Sequence, residues 1–327
     1  MISSISNVER KQIVEYTHST PILDVFKFSD GFLLTDKNAD MHLLSSSGKM
    51  IGLIHCRKYG VKMALELHNK LLVMSDITED RLKVLKNENK VDKVCYALRT
   101  INVIISKKMS YTYDKLYYGP EIPLIHMSVY KDNIVATDGQ TVYFWDVGND
   151  KCKIQLKFPC LFVNMTDYYR EKLAIVTLSI YKGNTMVDIH DLEAASQKPI
   201  VSKLLLYSGT NIMNMRVFKD FLHVMTDDKL FTIDTYKMNV KFNHLEHKPF
   251  SDVFYPKLAV KKNTSCMDMD NEVVVAVNEQ GCLWIQSEFH HLKRFKIFEF
   301  SINLVSISSE KHTICCINES TVKLLTY

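Results

Sequence analysis

Glycine is scarce in this chain, 10 among 327 residues, and there are only seven prolines and two tryptophans. No glycine-rich phosphate loop, G-x-S-x-G elbow or zinc-protease H-E-x-x-H helix is present, which removes the common sequence signatures of nucleotide and hydrolase chemistry. The eight cysteines (Cys56, Cys95, Cys152, Cys160, Cys266, Cys282, Cys315 and Cys316) contain no C-x-x-C pair. Several lie inside apolar runs, as expected of buried free thiols in a reducing compartment. Apolar stretches such as Leu173–Leu178 fall far short of the roughly 20 residues that span a bilayer. The opening "MISSISNVERKQIVEY" lacks a basic segment followed by an apolar core, so no signal peptide is expected. Without a secretory route, the Asn-x-Ser/Thr matches at Asn164, Asn263 and Asn318 carry little weight. Charge of one sign is also missing: 41 Lys and Arg face 37 Asp and Glu. Basic pairs such as Arg57-Lys58, Lys107-Lys108 and Lys261-Lys262 are scattered, whereas phosphate binding needs a clustered footprint. The expectation is a soluble cytoplasmic or nuclear protein with no membrane partner. Its composition gives no basis for direct nucleic-acid contact and does not forbid it.

What is present is strand. Short runs rich in Val, Ile, Leu, Phe and Tyr are bounded by clusters of Asp, Asn, Gly, Lys and Ser. No helical period persists, and the best helical candidate, "DLEAASQK" (Asp191–Lys198), is short and stops at Pro199. The runs group in fours. Residues 22–55 read "ILDVFKFS", "GFLLTDK", "DMHLLSSSG", "KMIGLIH", and residues 61–94 follow with "VKMALELH", "KLLVMSD", "RLKVLKN", "KVDKV". A shorter copy spans Cys95–Pro120. Three further copies begin at "LIHMSVYK", "FVNMTDYY" and "IMNMRVFK", and a late copy contains "EVVVAVNEQG", "CLWIQS" and "RFKIFEF".

The chain ends complete the count. Residues 302–327 hold three strands, "LVSISS", "TICCIN" and "TVKLLTY", while "KQIVEYT" near the start is one strand without a unit. Three plus one makes four, so the segment Lys11–Thr17 is expected beside Thr321–Tyr327, closing a ring and removing its free edges. The predicted fold is all-β: one domain over residues 1–327, a β-propeller of seven or eight four-stranded blades with a period of about 40 residues. Seven holds if the Cys95–Pro120 copy merges with a neighbour.

One copy carries a recognisable motif. "LIHMSVYKDNIVATDGQTVYFWDV" has a His before its first strand (His126), a hydroxyl in the second (Thr137), an Asp-Gly turn (Asp138-Gly139) and Trp145-Asp146 closing the third. It resembles a WD40 repeat. The resemblance implies that His126, Thr137, Asp138 and Trp145 form a structural hydrogen-bond network, not a catalytic one. Departures are substantial: the Gly-His pair is missing, the turn is short, and other copies end in "IHDL" or "IDTY". The rhythm covers the chain, but the motif covers one repeat.

Candidate contact residues lie elsewhere. Tyr117 and Tyr118 precede Gly-Pro-Glu in a connecting segment, where exposed tyrosines suit a binding surface. The stretch His247–Ser265 exceeds the other connections in length and mixes aromatics with lysines. Long loops in tight repeats are often functional. In that role Phe250, Phe254 and Tyr255 would be apolar anchors, and Lys257, Lys261 and Lys262 would favour an acidic partner. The other reading is that the segment covers the rim or continues an outer strand. His244, His247, His290 and His291 lack a completing set of metal ligands in sequence, and Asp268, Asp270 and Glu272 lack the pattern of a calcium loop. They read as turn acidity, and the methionines, among them Met213, Met215, Met267 and Met269, as one buried face of strands. No catalytic residue, metal ligand or cofactor is assigned. The function expected is a non-enzymatic scaffold that binds proteins or peptides within a multi-subunit complex. Two alternatives are a substrate receptor of a ubiquitin ligase, without a visible F-box, and a propeller enzyme with carboxylates and histidines converging in its channel.

Overall fold

A computed structural model describes residues 14–29, 31–38, 40–56, 59–68, 70–77, 96–105, 109–117, 120, 122–158, 162–169, 174–181, 184–191, 201–206, 212–218, 221–226, 229–234, 258–259, 264–270, 273–278, 281–287, 291–299, 301–308 and 310–327. These residues form seven four-stranded antiparallel sheets. The first holds β2 (Ile22–Phe28), β3 (Gly31–Asp36), β4 (Asp40–Ser45) and β5 (Met50–His55). Next come β6 (Tyr59–Leu67), β7 (Lys70–Ile77), β8 (Tyr96–Ile104) and β9 (Ser110–Tyr117). The third comprises β10 (His126–Tyr130), β11 (Asn133–Thr137), β12 (Thr141–Asp146) and β13 (Ile154–Lys157). The fourth follows as β14 (Phe162–Tyr169), β15 (Ala174–Tyr181), β16 (Asn184–Asp191) and β17 (Val201–Leu206). The fifth has β18 (Ile212–Phe218), β19 (Phe221–Thr226), β20 (Lys229–Asp234) and the two-residue β21 (Leu258–Ala259). The sixth contains β22 (Thr264–Asp270), β23 (Val273–Asn278), β24 (Cys282–Ser287) and β25 (His291–Lys296). The last is built from β26 (Leu304–Ser308), β27 (Thr313–Asn318), β28 (Thr321–Thr326) and β1 (Val14–Thr17).

The leading strands meet in cyclic order: β2, β6, β10, β14, β18, β22, β26 and back to β2. Each is the edge of its own sheet, so they line the inside and the fourth strands the outside. The architecture is propeller-like. Apolar clusters fill the spaces between neighbouring sheets: Leu33, Met41, Leu43 and Ile54 pack with Ala64, Leu71, Val73 and Ile101, and Leu72, Leu98 and Tyr117 with Ile134, Tyr143 and Trp145. Alternating strand residues face two neighbours at once, which is why strands such as β3, β12 and β27 are buried along nearly their whole length.

Most of the expected units hold, with two corrections. The Cys95–Pro120 copy makes no sheet of its own: β8 and β9 lie within it and pair as third and fourth strands with β6 and β7. The expected strands at 81–94 lie outside the described residues. So does "NVKFNHL" (239–245), and the outer place in the fifth sheet is taken by β21, pairing Lys229 with Ala259 and Leu230 with Leu258. Part of the long His247–Ser265 segment therefore does continue an outer strand. The helical candidate at 192–198 falls outside the described residues.

Few glycines suffice because several hairpins turn without them. Ser29, His68 and Lys131 follow their first strands, and Glu319 follows β27, with φ of 47°, 48°, 52° and 47°. Two-residue hairpins between right-twisted strands demand such positive φ values, at a steric cost for side-chain-bearing residues. Gly139, at φ 97°, is a position where glycine has been kept.

The termini close the ring. Strand β1 pairs with β28 in the register Val14↔Leu324, Glu15↔Lys323, Tyr16↔Val322 and Thr17↔Thr321. Beneath this pairing Val14 and Tyr16 pack on a cluster containing Phe32, Leu34, Cys315, Val322 and Leu324. Removing Thr321–Tyr327 deletes the strand between β27 and β1 and opens the apolar cluster, so the truncated chain is expected to lose its cooperative thermal transition. A truncated chain that kept the full melting temperature would show that this pairing does not hold the ring.

Candidate functional site

The four residues assigned to a structural network are all buried, Trp145 completely so. Their bonds run along two routes. The Asp138 carboxylate accepts the N–H groups of Gln140 (2.9 Å) and Thr141 (2.7 Å) and the Tyr143 hydroxyl (2.7 Å), which fixes the β11–β12 turn. Thr137 accepts the Gly139 N–H at 3.0 Å and donates to the Val163 carbonyl of the next sheet at 3.4 Å. His126 Nδ1 accepts the Thr166 N–H, also on the next sheet, at 3.4 Å. Burial and the nearby Arg216 charge push this imidazole down to about 3, so it is neutral and its Nδ1 is free to accept. The Trp145 indole stacks on Tyr143 (centroids 5.8 Å apart) and meets Tyr117 edge-on at 6.3 Å.

Tyr117 requires a correction. Its ring is 2% exposed, and its hydroxyl donates to the Val147 carbonyl at 3.1 Å, so it joins two sheets and presents no contact surface. The residue belongs to β9 and pairs with Leu98, which points it inward. Tyr118, Phe250, Phe254, Tyr255, Lys257, Lys261 and Lys262 lie outside the described residues, as do His244, His247, His290 and Glu272.

Asp268 and Asp270 are also corrected, for they lie within β22 and not in a turn. Asp268 accepts the Ser306 hydroxyl (3.0 Å) and the Ile307 N–H (3.1 Å) of β26. Asp270 pairs with Lys27 of β2 at 2.8 Å, reaching past the intervening sheet. Asp167 of β14 accepts the Val217 N–H of β18 at 2.7 Å. Carboxylates on the inner strands thus bond the backbone of neighbouring inner strands. Asp24 of β2 belongs to the same inner set. Burial, opposed by the Val25 N–H and reinforced by the Asp268 charge, raises its carboxyl to about 6.

A further cluster was not found by sequence reasoning. His18 sits in the link between β1 and β2, Asp36 ends β3, and His42 lies on β4. His18 and Asp36 are buried and His42 nearly so. His18 Nε2 lies 3.3 Å from His42 Nδ1, and His42 Nε2 lies 3.1 Å from Asp36 Oδ2. The Thr20 hydroxyl donates to the same Asp36 oxygen at 2.9 Å, and the N–H groups of Asn38 (2.9 Å) and Asp40 (3.0 Å) donate to Oδ1. Burial pushes the Asp36 carboxyl up, but the bonds from Asp40, His42, Thr20 and Asn38 outweigh it and hold the group below its ordinary value. The link is pinned by backbone bonds as well: the His18 N–H donates to the Ser320 carbonyl and the Ile22 N–H to the Glu319 carbonyl, both 2.8 Å. The cluster therefore lies at the seam where the last sheet meets the first. The spacing H-x17-D-x5-H, split over three elements, matches no local ligand motif, so only the fold reveals it.

No family model and no curated protein matches this chain. Among solved structures it is similar to a computationally designed β-propeller, Ika8, at a TM-score of 0.60 and 8% identity over 95% of this chain and 98% of that one. At that identity the likeness concerns the fold alone.

Two measurements check these assignments. Trp145→Ala empties a fully buried aromatic position between two sheets and should cost roughly 3–5 kcal/mol in chemical denaturation, with no binding-specific phenotype. Asp24→Asn keeps an acceptor for the Val25 N–H and removes a charge that the folded state holds at a disadvantage. A carboxyl raised on folding binds protons more readily folded than unfolded, so wild-type stability falls as pH rises from about 4 to about 6. The variant should therefore be more stable than wild type above pH 6, on the order of 1–2 kcal/mol, and lose that advantage near pH 4.

Proposed function

We propose that this protein is a non-enzymatic, WD40-like propeller of seven blades. In this reading it serves as an interaction scaffold, or a subunit of a larger intracellular complex, with proteins or peptides as partners. The observation that carries the reading is the outer part of the second sheet. Its strands run eight or nine residues, against four to six in the third sheet. It also holds three of the exposed large apolar side chains: consecutive Ile104 (61% exposed) and Ile105 (46%), and Tyr113 (52%) on the outermost strand β9. An exposed aliphatic pair beside an edge strand is a liability for a free protein and an asset for one that docks.

Other features agree with a scaffold role. The polar groups of the best-preserved repeat are engaged in holding its turn and its neighbour. Cys56, Cys152, Cys315 and Cys316 are free thiols, and burial pushes Cys56 up to about 11, which suits a reducing compartment. Among the described residues no helix is long and apolar enough to cross a membrane.

The test is an exposed-surface variant. Ile104→Asp with Ile105→Asp changes two exposed side chains, so the unfolding free energy should stay within about 0.5 kcal/mol of wild type. Proximity labelling and affinity capture in the native cell should then lose a defined subset of wild-type partners. An unchanged partner set with unchanged stability would place the contact surface elsewhere. A turnover catalysed by the purified protein would overturn the scaffold reading.

A further inference from the structure

The geometry points to a divalent late first-row metal site at the seam of the ring, with His18 Nε2 and His42 Nδ1 as ligands and Asp36 orienting His42. Zn²⁺ is the ion best suited to two imidazoles and a neighbouring carboxylate in this setting. The inference concerns His18, Asp36 and His42 and is independent of the scaffold reading.

The argument begins with which nitrogen holds each proton. Asp36 Oδ2 accepts the Thr20 hydroxyl at 2.9 Å and stands 3.1 Å from His42 Nε2, which places the His42 hydrogen on Nε2, donating to the carboxylate. Neutral His42 then has its lone pair on Nδ1, facing His18. His18 Nδ1 has three partners within reach: protonated, it donates to the Thr20 carbonyl at 2.9 Å or the Thr20 hydroxyl oxygen at 3.1 Å, and unprotonated it accepts the Thr20 N–H at 3.1 Å. With Nδ1 protonated, Nε2 is a second lone pair aimed at the first across 3.3 Å. Two lone pairs at that distance repel unless a cation lies between them. With Nδ1 unprotonated, Nε2–H donates to His42 and the cluster is satisfied by a proton. The same side chains are thus arranged for two states, one bridged by a proton and one by a metal ion.

The metal-bridged state follows a known pattern of histidine ligation. A ligating imidazole donates its other N–H to a carboxylate or a backbone carbonyl, which fixes the tautomer and raises the basicity of the ligating nitrogen. His42 has Asp36 in that role and His18 has the Thr20 carbonyl. The separation also fits: two nitrogens each about 2.0–2.1 Å from a tetrahedral ion stand about 3.3–3.4 Å apart. The ring centroids are 4.2 Å apart, so aiming both lone pairs at one ion asks the rings to swing apart by roughly 1 Å. His18 rides on the link before β2 and can supply that movement without disturbing a strand. Two positions on the ion remain for water or an incoming ligand. Because the ligands come from both sides of the seam, the ion would reinforce ring closure.

The test uses the full chain freed of metal by chelation, with Zn²⁺ or Co²⁺ as the only probe. Wild type should bind about one equivalent of Zn²⁺ with a raised melting temperature, and Co²⁺ should develop the visible absorption of a tetrahedral nitrogen-bound ion. His42→Gln should abolish binding. Asp36→Asn is the sharper variant, because its Oδ1 can still accept from Asn38 and Asp40 while its amide donates to His42 Nε2. That moves the His42 hydrogen to Nδ1 and should weaken Zn²⁺ binding about 10–100-fold with the turn intact. If a variant fails to fold, the wild-type chain still decides, since Zn²⁺ must shift the ring-nitrogen resonances of His18 and His42 together. Resonances that stay put, or folded variants that bind Zn²⁺ as wild type does, would overturn the site.

Discussion

The innermost strand of each sheet has one edge with no strand to pair, and the whole ring depends on how the backbone N–H groups along those edges are satisfied. A buried amide left without an acceptor costs about 1–3 kcal/mol, and the cost recurs at every sheet. The chain answers with side chains. His126 accepts from Thr166, Asp167 from Val217, and Asp268 from Ile307, each bond running from one inner strand to the next. Glu66 does the same for the Ser29 turn at 2.6 Å. Bonds with a charged acceptor are stronger than neutral ones and fix the relative height of neighbouring sheets, which apolar packing alone leaves free to slide.

That arrangement explains an electrostatic strain. Acidic groups bonded to inner-strand amides must share a small interior with one another, and the carboxyl of Asp24, buried beside Asp268, is raised to about 6. Lys27 offsets part of this charge by pairing with Asp270, and Arg216 stands near His126. The interior is thus a balanced polar shell whose members mostly hold strands together. A carboxylate or histidine found there has a structural use to account for before any chemical one.

Much of the strand pattern was legible in the sequence because it depends on local signals. Short apolar runs between polar clusters marked β2–β5 and β10–β13, and the three strands before the C-terminus predicted their partner near Val14. What was not legible depends on contacts between distant residues. The unit boundary near Cys95 was misplaced because an apolar run cannot announce which sheet it will join, and β8 joins the sheet before it. Tyr117 looked like loop because Gly119-Pro120 follows it, yet its pairing with Leu98 turns it into the core. Asp268 read as turn acidity because its task, accepting from Ile307, involves a residue 39 positions away. His18 and His42 are 24 apart and share no element, so no spacing rule joins them.

The seam differs from the other joints between sheets in how it is made. Elsewhere the sheet before and the sheet after are consecutive in the chain, so a joint that opens is quickly remade. At the seam the last sheet borrows β1 from the opposite end of the sequence, and closing a loop of that length carries a large entropic cost. The contacts concentrated there answer this cost: four residue pairs between β1 and β28, the apolar cluster around Phe32 and Leu324, two backbone bonds from the link to the Glu319–Ser320 turn, and the buried His18–His42–Asp36 chain. Bonds among histidines add little rigidity unless their protons are fixed, and the carboxylate of Asp36, itself anchored by two turn amides, fixes that of His42 while His18 retains two tautomers. The turn after β3 therefore fixes how His42 faces His18, tying the first sheet to the link that leaves the last one.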